Sequence, residues 1–259
     1  MKSEERIQAG IRINKYLSEA GVCSRREADR RIEAGQVSID GRTAVYGDRV
    51  EPGMQVFFCG EPVRMQEKEV LIAFHKPRGI VCTAEKREEN NIIDYINYPV
   101  RIYPAERLDK DSEGLILLTN QGDLVNKIMR AGNFHEKEYV VTVDHDITDE
   151  FLEGMRSGVY LEELNVTTRR CMIEKKSRRT FSMILTQGYN RQIRRMCAVF
   201  GYRVRRLVRV RIMNIYLGDL EPGAYRDVTP AERRELYRLI EHSYSAPKGQ
   251  GKEDGNKGE

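Results

Sequence analysis

The sequence lacks any long apolar run, and Met1 to Gly10 carries charges where a secretory leader would have an apolar segment. These absences point away from a helical membrane span and a signal peptide, so a cytoplasmic protein with no membrane partner is expected. The five cysteines, Cys23, Cys59, Cys82, Cys171 and Cys197, are an odd number at wide spacing. No Cys-x-x-Cys pair occurs and no histidine stands near enough to complete a zinc site, so they read as reduced thiols. A Walker loop, a convincing dinucleotide glycine motif and a metal-ligand cluster are also missing.

One region lacks acid. Between Arg169 and Arg211 there are fourteen Lys and Arg against a single carboxylate, Glu174, and from Arg191 to Arg211 there are eight arginines and none. The net charge of +4 is therefore concentrated in a local patch. Arginine-dense surface suits a phosphate polymer, because each neutralised phosphate releases counterions. The same patch also fits a solvated basic face or partners for acids elsewhere in the chain.

What is present is ordinary for a globular chain. The 259 residues, 32% charged and 40% hydrophobic, have room for one large or two modest domains. Over Ile11 to Ala20, Ile13, Leu17 and Ala20 follow a helical spacing that stops at Gly21. Ser24 with Glu27 reads as a capping box opening a second helix through Ala28 and Ile32 to Gly35. Val37-Ser38-Ile39 then alternates into the turn Asp40-Gly41, and Met54 to Phe58 is β-prone. Arg26 and Arg30, four apart, share one face of the second helix and suit phosphates, although Glu27 and Asp29 leave a solvated helix open.

Ile13-Asn14-Lys15-Tyr16-Leu17, Gly21, Ser24-Arg25-Arg26-Glu27-Ala28, Ile32, Gly35 and Val37-Ser38-Ile39-Asp40-Gly41 together resemble an S4-type RNA-binding domain. That resemblance implies that Lys15, Arg25, Arg26 and Arg30 contact structured RNA.

A polar stretch near Glu61 to Glu69 reads as a linker. Val70 to Phe74 reads as a buried strand closing at the turn Lys76-Pro77-Arg78-Gly79. Next comes Arg107-Leu108-Asp109-Lys110-Asp111-Ser112-Glu113-Gly114-Leu115, with three carboxylates and two cations in its first seven residues, butted against the apolar run Ile116-Leu117-Leu118. A charged loop fixed by a core strand is a common place for chemistry, and the same pattern also fits a solvated turn. Gly122 to Arg130 is predicted as a helix and Lys137 to Val143 as a strand. Thr148 is predicted to cap a helix over Asp149 to Arg156. Phe181, Met183 and Leu185 alternate as a strand. Ile193, Met196, Cys197 and Phe200 form one apolar stripe of a helix over Asn190 to Phe200, with Arg191, Arg194 and Arg195 around it. Val204 to Leu217 reads as strand. Thr229-Pro230-Ala231-Glu232 opens a last helix to about His242, and composition beyond Ser245 predicts a disordered tail.

The Lys76-Pro77-Arg78-Gly79 turn, the Arg107 to Leu115 loop, Lys137-Glu138-Tyr139 and Asn190-Arg191-Gln192-Ile193-Arg194-Arg195-Met196 occur in the order and rough spacing of the RsuA/RluB/RluE/RluF family of ribosomal RNA pseudouridine synthases, which the chain therefore resembles. The run Asn133 to Val143 is most similar to the F-type members. One departure is Glu106, where that family usually has glycine. An added carboxylate there is expected to raise the catalytic pKa or to pair with a nearby arginine.

The resemblance implies an α+β protein: residues 1–10 as a flexible N-terminus, an S4-like domain over 11–60, a linker over 61–69, a catalytic domain over 70–242 and a tail over 243–259. The catalytic domain is expected to have a mixed, mostly antiparallel central sheet flanked by helices. It implies isomerisation of a specific uridine in ribosomal RNA, most nearly 23S rRNA, to pseudouridine. Transfer RNA is a possible second partner, and a monomer is expected. The glycosidic bond moves from N1 to C5 of the same base, so no cofactor and no metal are expected.

By the same resemblance Asp109 is the catalytic carboxylate, attacking the sugar or assisting glycosidic cleavage, and Arg194 is the cation paired with it. Tyr139 stacks on the uracil, Arg107 enters the gap left by the flipped base, and Ile193 forms apolar pocket wall. Arg191 and Arg195 join the RNA contacts. Asp111 and Glu113 shape the loop. The competing reading is an S4-type RNA-binding or ribosome-associated protein without catalysis. An aminoacyl-tRNA synthetase with an S4 appendage is excluded, because no His-x-Gly-His signature occurs.

Overall fold

The computed structural model describes residues 10–65, 68–85 and 87–243. The expected flexible N-terminus, apart from Gly10, and the expected tail beyond Ser243 lie outside them. The chain divides into two compact units.

In the first, helix Ile13–Glu19 and helix Arg25–Glu33 pack over a small antiparallel sheet formed by Val37–Ile39, Arg42–Thr43, Val56–Phe58 and Glu61–Pro62. Ile13, Leu17, Ala28, Ile32, Val37, Ile39 and Val56 form its core. Burying each such aliphatic side chain contributes about 1.5–3 kcal/mol, enough to hold a small module together. Three local expectations are corrected here. Ile11–Arg12 is a strand paired with Arg49–Val50, so the first helix begins only at Ile13. The Ser24 hydroxyl accepts from the Glu27 amide, but the Glu27 carboxylate goes to Arg30 and Arg31, so the capping box is half made. The first residues of the expected linker, Glu61–Pro62, pair with Phe57–Phe58. Proline is tolerated there because the strand is at a sheet edge.

The second unit is built on one large sheet whose main path runs, in spatial order, through strands Met172–Ser177, Thr180–Leu185, Lys137–Val143, Val204–Ile212, Glu113–Thr119, Leu71–Lys76 and Tyr225–Asp227. All neighbours are antiparallel except Val204–Ile212 with Glu113–Thr119. The fold is therefore α+β with a mixed, mostly antiparallel sheet. Helices Gly122–Met129 and Pro230–Leu239 cover one region of it through Leu124, Ile128, Leu236 and Ile240. The last helix starts at a complete capping box between Thr229 and Glu232 with Pro230 in its first turn, and it ends at Leu239.

Two strand expectations change. Val204 to Leu217 is a hairpin, Val204–Ile212 and Ile215–Tyr216, that turns at Met213 with φ of 53°. The expected strand over Val70 to Phe74 runs on through Lys76, which is wholly buried and so is not a turn residue.

Candidate active site

Lys76 anchors the charged loop from below. Its Nζ donates to the carbonyls of Pro77 and Ile80 at 2.8 Å and of Lys110 at 3.4 Å. Burial lowers the pKa of this amine, while Cys82, Asp109, Asp111 and Glu113 act to raise it. The Gly79 amide donates to the Lys110 carbonyl at 2.8 Å, and the Ser112 amide donates to the Asp109 carbonyl at 3.0 Å, closing the turn. Arg206 Nε holds Glu113 at 2.5 Å. Gly114, with φ of 112°, lies directly against the Arg209 backbone, where an added Cβ would collide. Only glycine fits that crossing of the loop and the parallel strand.

The loop borders a cavity of about 460 Å³, within the roughly 300–1,000 Å³ typical of small-molecule sites. Its floor is one face of the sheet. Tyr139 lies opposite Met183 and Arg209, and Lys137 lies opposite Leu185, so Lys137, Tyr139, Leu185 and Arg209 face the same way. Burial pushes the Tyr139 phenol up, while the neighbouring Arg209 opposes that shift.

The opposite rim is helix Gln192–Val199, entered through Arg191 in a left-handed conformation. Arg191 and Arg194, three apart, both turn toward the loop. Asp109 Oδ2 lies 3.9 Å from Arg191 Nη1 and 4.0 Å from Arg194 Nε. Arg194 is itself held by the Val204 carbonyl at 3.2 Å, the Asp111 carbonyl at 3.1 Å and Ser112 Oγ at 3.2 Å. Burial and Arg191 pull its pKa below the ordinary arginine value, with Asp109 opposing. The Asp109 side chain is 28% exposed and the Asp111 side chain 62%, so only the first is partly withdrawn from water. Asp111 stays 4.0 Å from Arg191.

The structure thus brings Arg107, Asp109, Tyr139, Arg191, Ile193 and Arg194 into the wall of one cavity, with Arg107 exposed. Arg191, expected among the RNA contacts, faces the two loop carboxylates. Arg195 is paired with Glu163. Lys15 pairs with Glu19 at 3.4 Å, Arg30 pairs with Glu27, and Arg25 and Arg26 are exposed on their helix.

The basic stretch from Arg169 to Arg211 is not one open face. Arg209 is buried, Arg211 is buried between Glu136 and Glu138, and Arg178 and Arg179 both hold Asp146. Cavity-lining or supporting residues that the sequence reading gave no site role are Lys76, Lys137, Gln187 and Arg209. For Arg209 there was no local signal, because its strand also carries Arg205, Arg206 and Arg211.

Glu106 belongs to this wall. It has φ of 94°, a value that favours glycine, and its carboxylate is held by Lys137 Nζ at 2.6 Å and Arg209 Nη1 at 3.0 Å.

Residues 70–199 match the family described as RNA pseudouridylate synthase, and residues 11–56 match the S4 domain. The chain belongs to the RNA pseudouridylate synthase family. Among its relatives is the dual-specificity RNA pseudouridine synthase RluF of Escherichia coli strain K12, 52% identical over 246 residues covering 94% of this chain and 84% of that protein. The ribosomal large subunit pseudouridine synthase B of Bacillus subtilis strain 168 is 33% identical over 242 residues, covering 91% and 99%. A crystal structure of a pseudouridylate synthase superposes with a TM-score of 0.65 at 26% identity, covering 88% of this synthase and 99% of that chain. Among the described residues no helix is long and apolar enough to cross a membrane.

Proposed function

We propose that this synthase isomerises a uridine of large-subunit ribosomal RNA, and that Asp109 is its catalytic carboxylate. The observation that carries the reading is the Asp109 carboxylate beside Arg191 and Arg194 at the edge of a cavity floored by Tyr139. The two cations stand beside the carboxylate at the cavity edge, where it attacks the sugar or supports the departing base. Tyr139 offers its ring to the uracil, and Ile193 closes the pocket on the apolar side. The C1′–N1 bond breaks and C1′–C5 forms. The proton leaving C5 is balanced by one gained at N1, so the product is an isomer.

Arg107, exposed at the cavity rim, is placed to enter the stack vacated by the flipped nucleotide, an extrusion that costs a few kcal/mol. The S4 unit supplies additional RNA affinity through Lys15, Arg25, Arg26 and Arg30, and Arg195 adds to it beside the cavity. The working division is residues 11–60 for that unit and 70–242 for the catalytic domain, in a monomer acting in the cytoplasm.

Large-subunit RNA is favoured because a relative named for it matches this chain over 99% of its own length. A relative named as dual-specificity makes transfer RNA the second class to assay. The test is carbodiimide-dependent primer extension on ribosomal and transfer RNA treated with the purified protein. A new pseudouridine stop in large-subunit RNA is expected. Binding to both RNAs without any stop would favour the non-catalytic reading.

A further inference from the structure

Besides Arg194 Nε, two side-chain donors in the cavity wall have no hydrogen-bond partner, Gln187 Nε2 and Arg209 Nη2. Gln187 is 4% exposed and Arg209 1%, so both donors belong to a largely desolvated part of the wall. An unpaired buried donor costs about 1–3 kcal/mol, and native interiors keep few of them. Both residues line the cavity that Asp109 borders, which makes a bound ligand the natural source of acceptors.

Their placement limits what that ligand is. Arg209 lies opposite Tyr139 on the neighbouring strand, and Gln187 follows two residues after Leu185, which lies opposite Lys137 on the other neighbour. One donor therefore comes from the strand on one side of the Tyr139 strand, and the other from the chain just past the end of the strand on its other side. Arg209 is also preset: its Nε donates to the Leu115 carbonyl at 2.7 Å and its Nη1 to Glu106 at 3.0 Å, and its guanidinium bears on the Tyr139 hydroxyl, which leaves Nη2 as the nitrogen with no close acceptor. A third unpaired donor, Arg194 Nε, stands 4.0 Å from Asp109 and belongs to the catalytic pair.

A flat base with carbonyl oxygens on two sides matches two donors flanking an aromatic floor. Uracil has such oxygens at positions 2 and 4. Cytosine carries an amino donor at position 4 and would set donor against donor, a mismatch that buried polar sites reject strongly. We infer that Gln187 and Arg209 are specificity residues that donate to the two carbonyl oxygens of the flipped uracil. This rests on the cavity being the uridine site.

The test uses a synthetic hairpin spanning the uridine that the wild-type protein modifies, made with uridine, 2-thiouridine or 4-thiouridine at that position. Sulfur is a poor acceptor, so each thio substitution deletes one proposed bond. Single-turnover rates of wild type are expected to fall about tenfold or more for each analogue, the equivalent of roughly 1.4 kcal/mol. Gln187→Leu should slow the uridine hairpin and remove the penalty of one analogue while keeping that of the other. Arg209→Lys should show the converse pattern.

Should Gln187→Leu melt early, Gln187→Glu keeps the volume, exchanges donor for acceptor, and must lose the same penalty. Equal wild-type rates on all three hairpins, or full penalties for both analogues in the Gln187 variants, would overturn the inference. No product from wild type on the uridine hairpin would instead contradict the underlying reading of the cavity.

Discussion

Glu106 accepts from Arg209 Nη1 at 3.0 Å inside the cavity wall, although its own backbone stands at φ of 94°. A residue other than glycine in that region costs about 1–3 kcal/mol. The strain is offset because the carboxylate neutralises two buried cations, Lys137 and Arg209. Removing one partner from such a buried arrangement costs about 3–5 kcal/mol. Glu106→Gly should therefore relieve the backbone yet lower stability by about 2 kcal/mol, read by urea denaturation. A variant as stable as wild type would show that the ion pairs contribute nothing net.

The thiols should separate by exposure. Cys59 is exposed and the other four are buried. Burial pushes Cys171 up to about 11 and Cys197 up to about 12. Only the thiolate reacts, so titration with a thiol reagent at pH 8 should show one fast equivalent, lost in Cys59→Ser. Two or more fast equivalents in the folded protein would contradict the burial of the other four cysteines.

The last helix should show acid sensitivity. Arg226 holds the Glu232 carboxylate at 2.8 Å through each of two nitrogens and depresses its pKa to about 2, with the Thr229 cap adding to the effect. A depressed carboxylate contributes stability that is fully present above its unfolded pKa, near 4.3, and is lost as pH falls toward 2. The contribution is on the order of 2–3 kcal/mol. Glu232→Gln should be less stable than wild type at pH 6, and the gap should close between pH 4.5 and 2. A gap independent of pH would assign the loss to packing or capping alone.

Local signals were readable and distant ones were not. Ser24, Thr148 and Thr229 each cap a helix through an amide three residues on, so sequence spacing located them. The hairpin at Met213 was hidden because its left-handed residue is a methionine, with no glycine or asparagine-glycine pair to mark the turn. Arg209 was hidden because the groups that justify burying it, Leu115 and Glu106, lie far along the chain; Lys76 was hidden because its acceptors are backbone carbonyls, of Pro77 and Ile80 nearby and Lys110 farther off, which no side-chain pattern marks. The acid-free run misled in the same way, since Glu106, Glu113, Glu136 and Glu138 all come from earlier strands and loops. Asp109 was singled out by motif resemblance. Its separation from Asp111 by exposure and by Arg194 became visible only in three dimensions.

That separation gives the most direct measurement. Pseudouridine formation by wild type, Asp109→Asn and Asp111→Asn is compared on the same large-subunit RNA, with thermal melting to show that each variant is folded. Asp109→Asn should form no detectable product over many wild-type half-lives, while Asp111→Asn should stay within about tenfold of wild type, a barrier change of roughly 1.4 kcal/mol. Undiminished product from Asp109→Asn, or loss confined to Asp111→Asn, would contradict the assignment of Asp109 as the catalytic carboxylate.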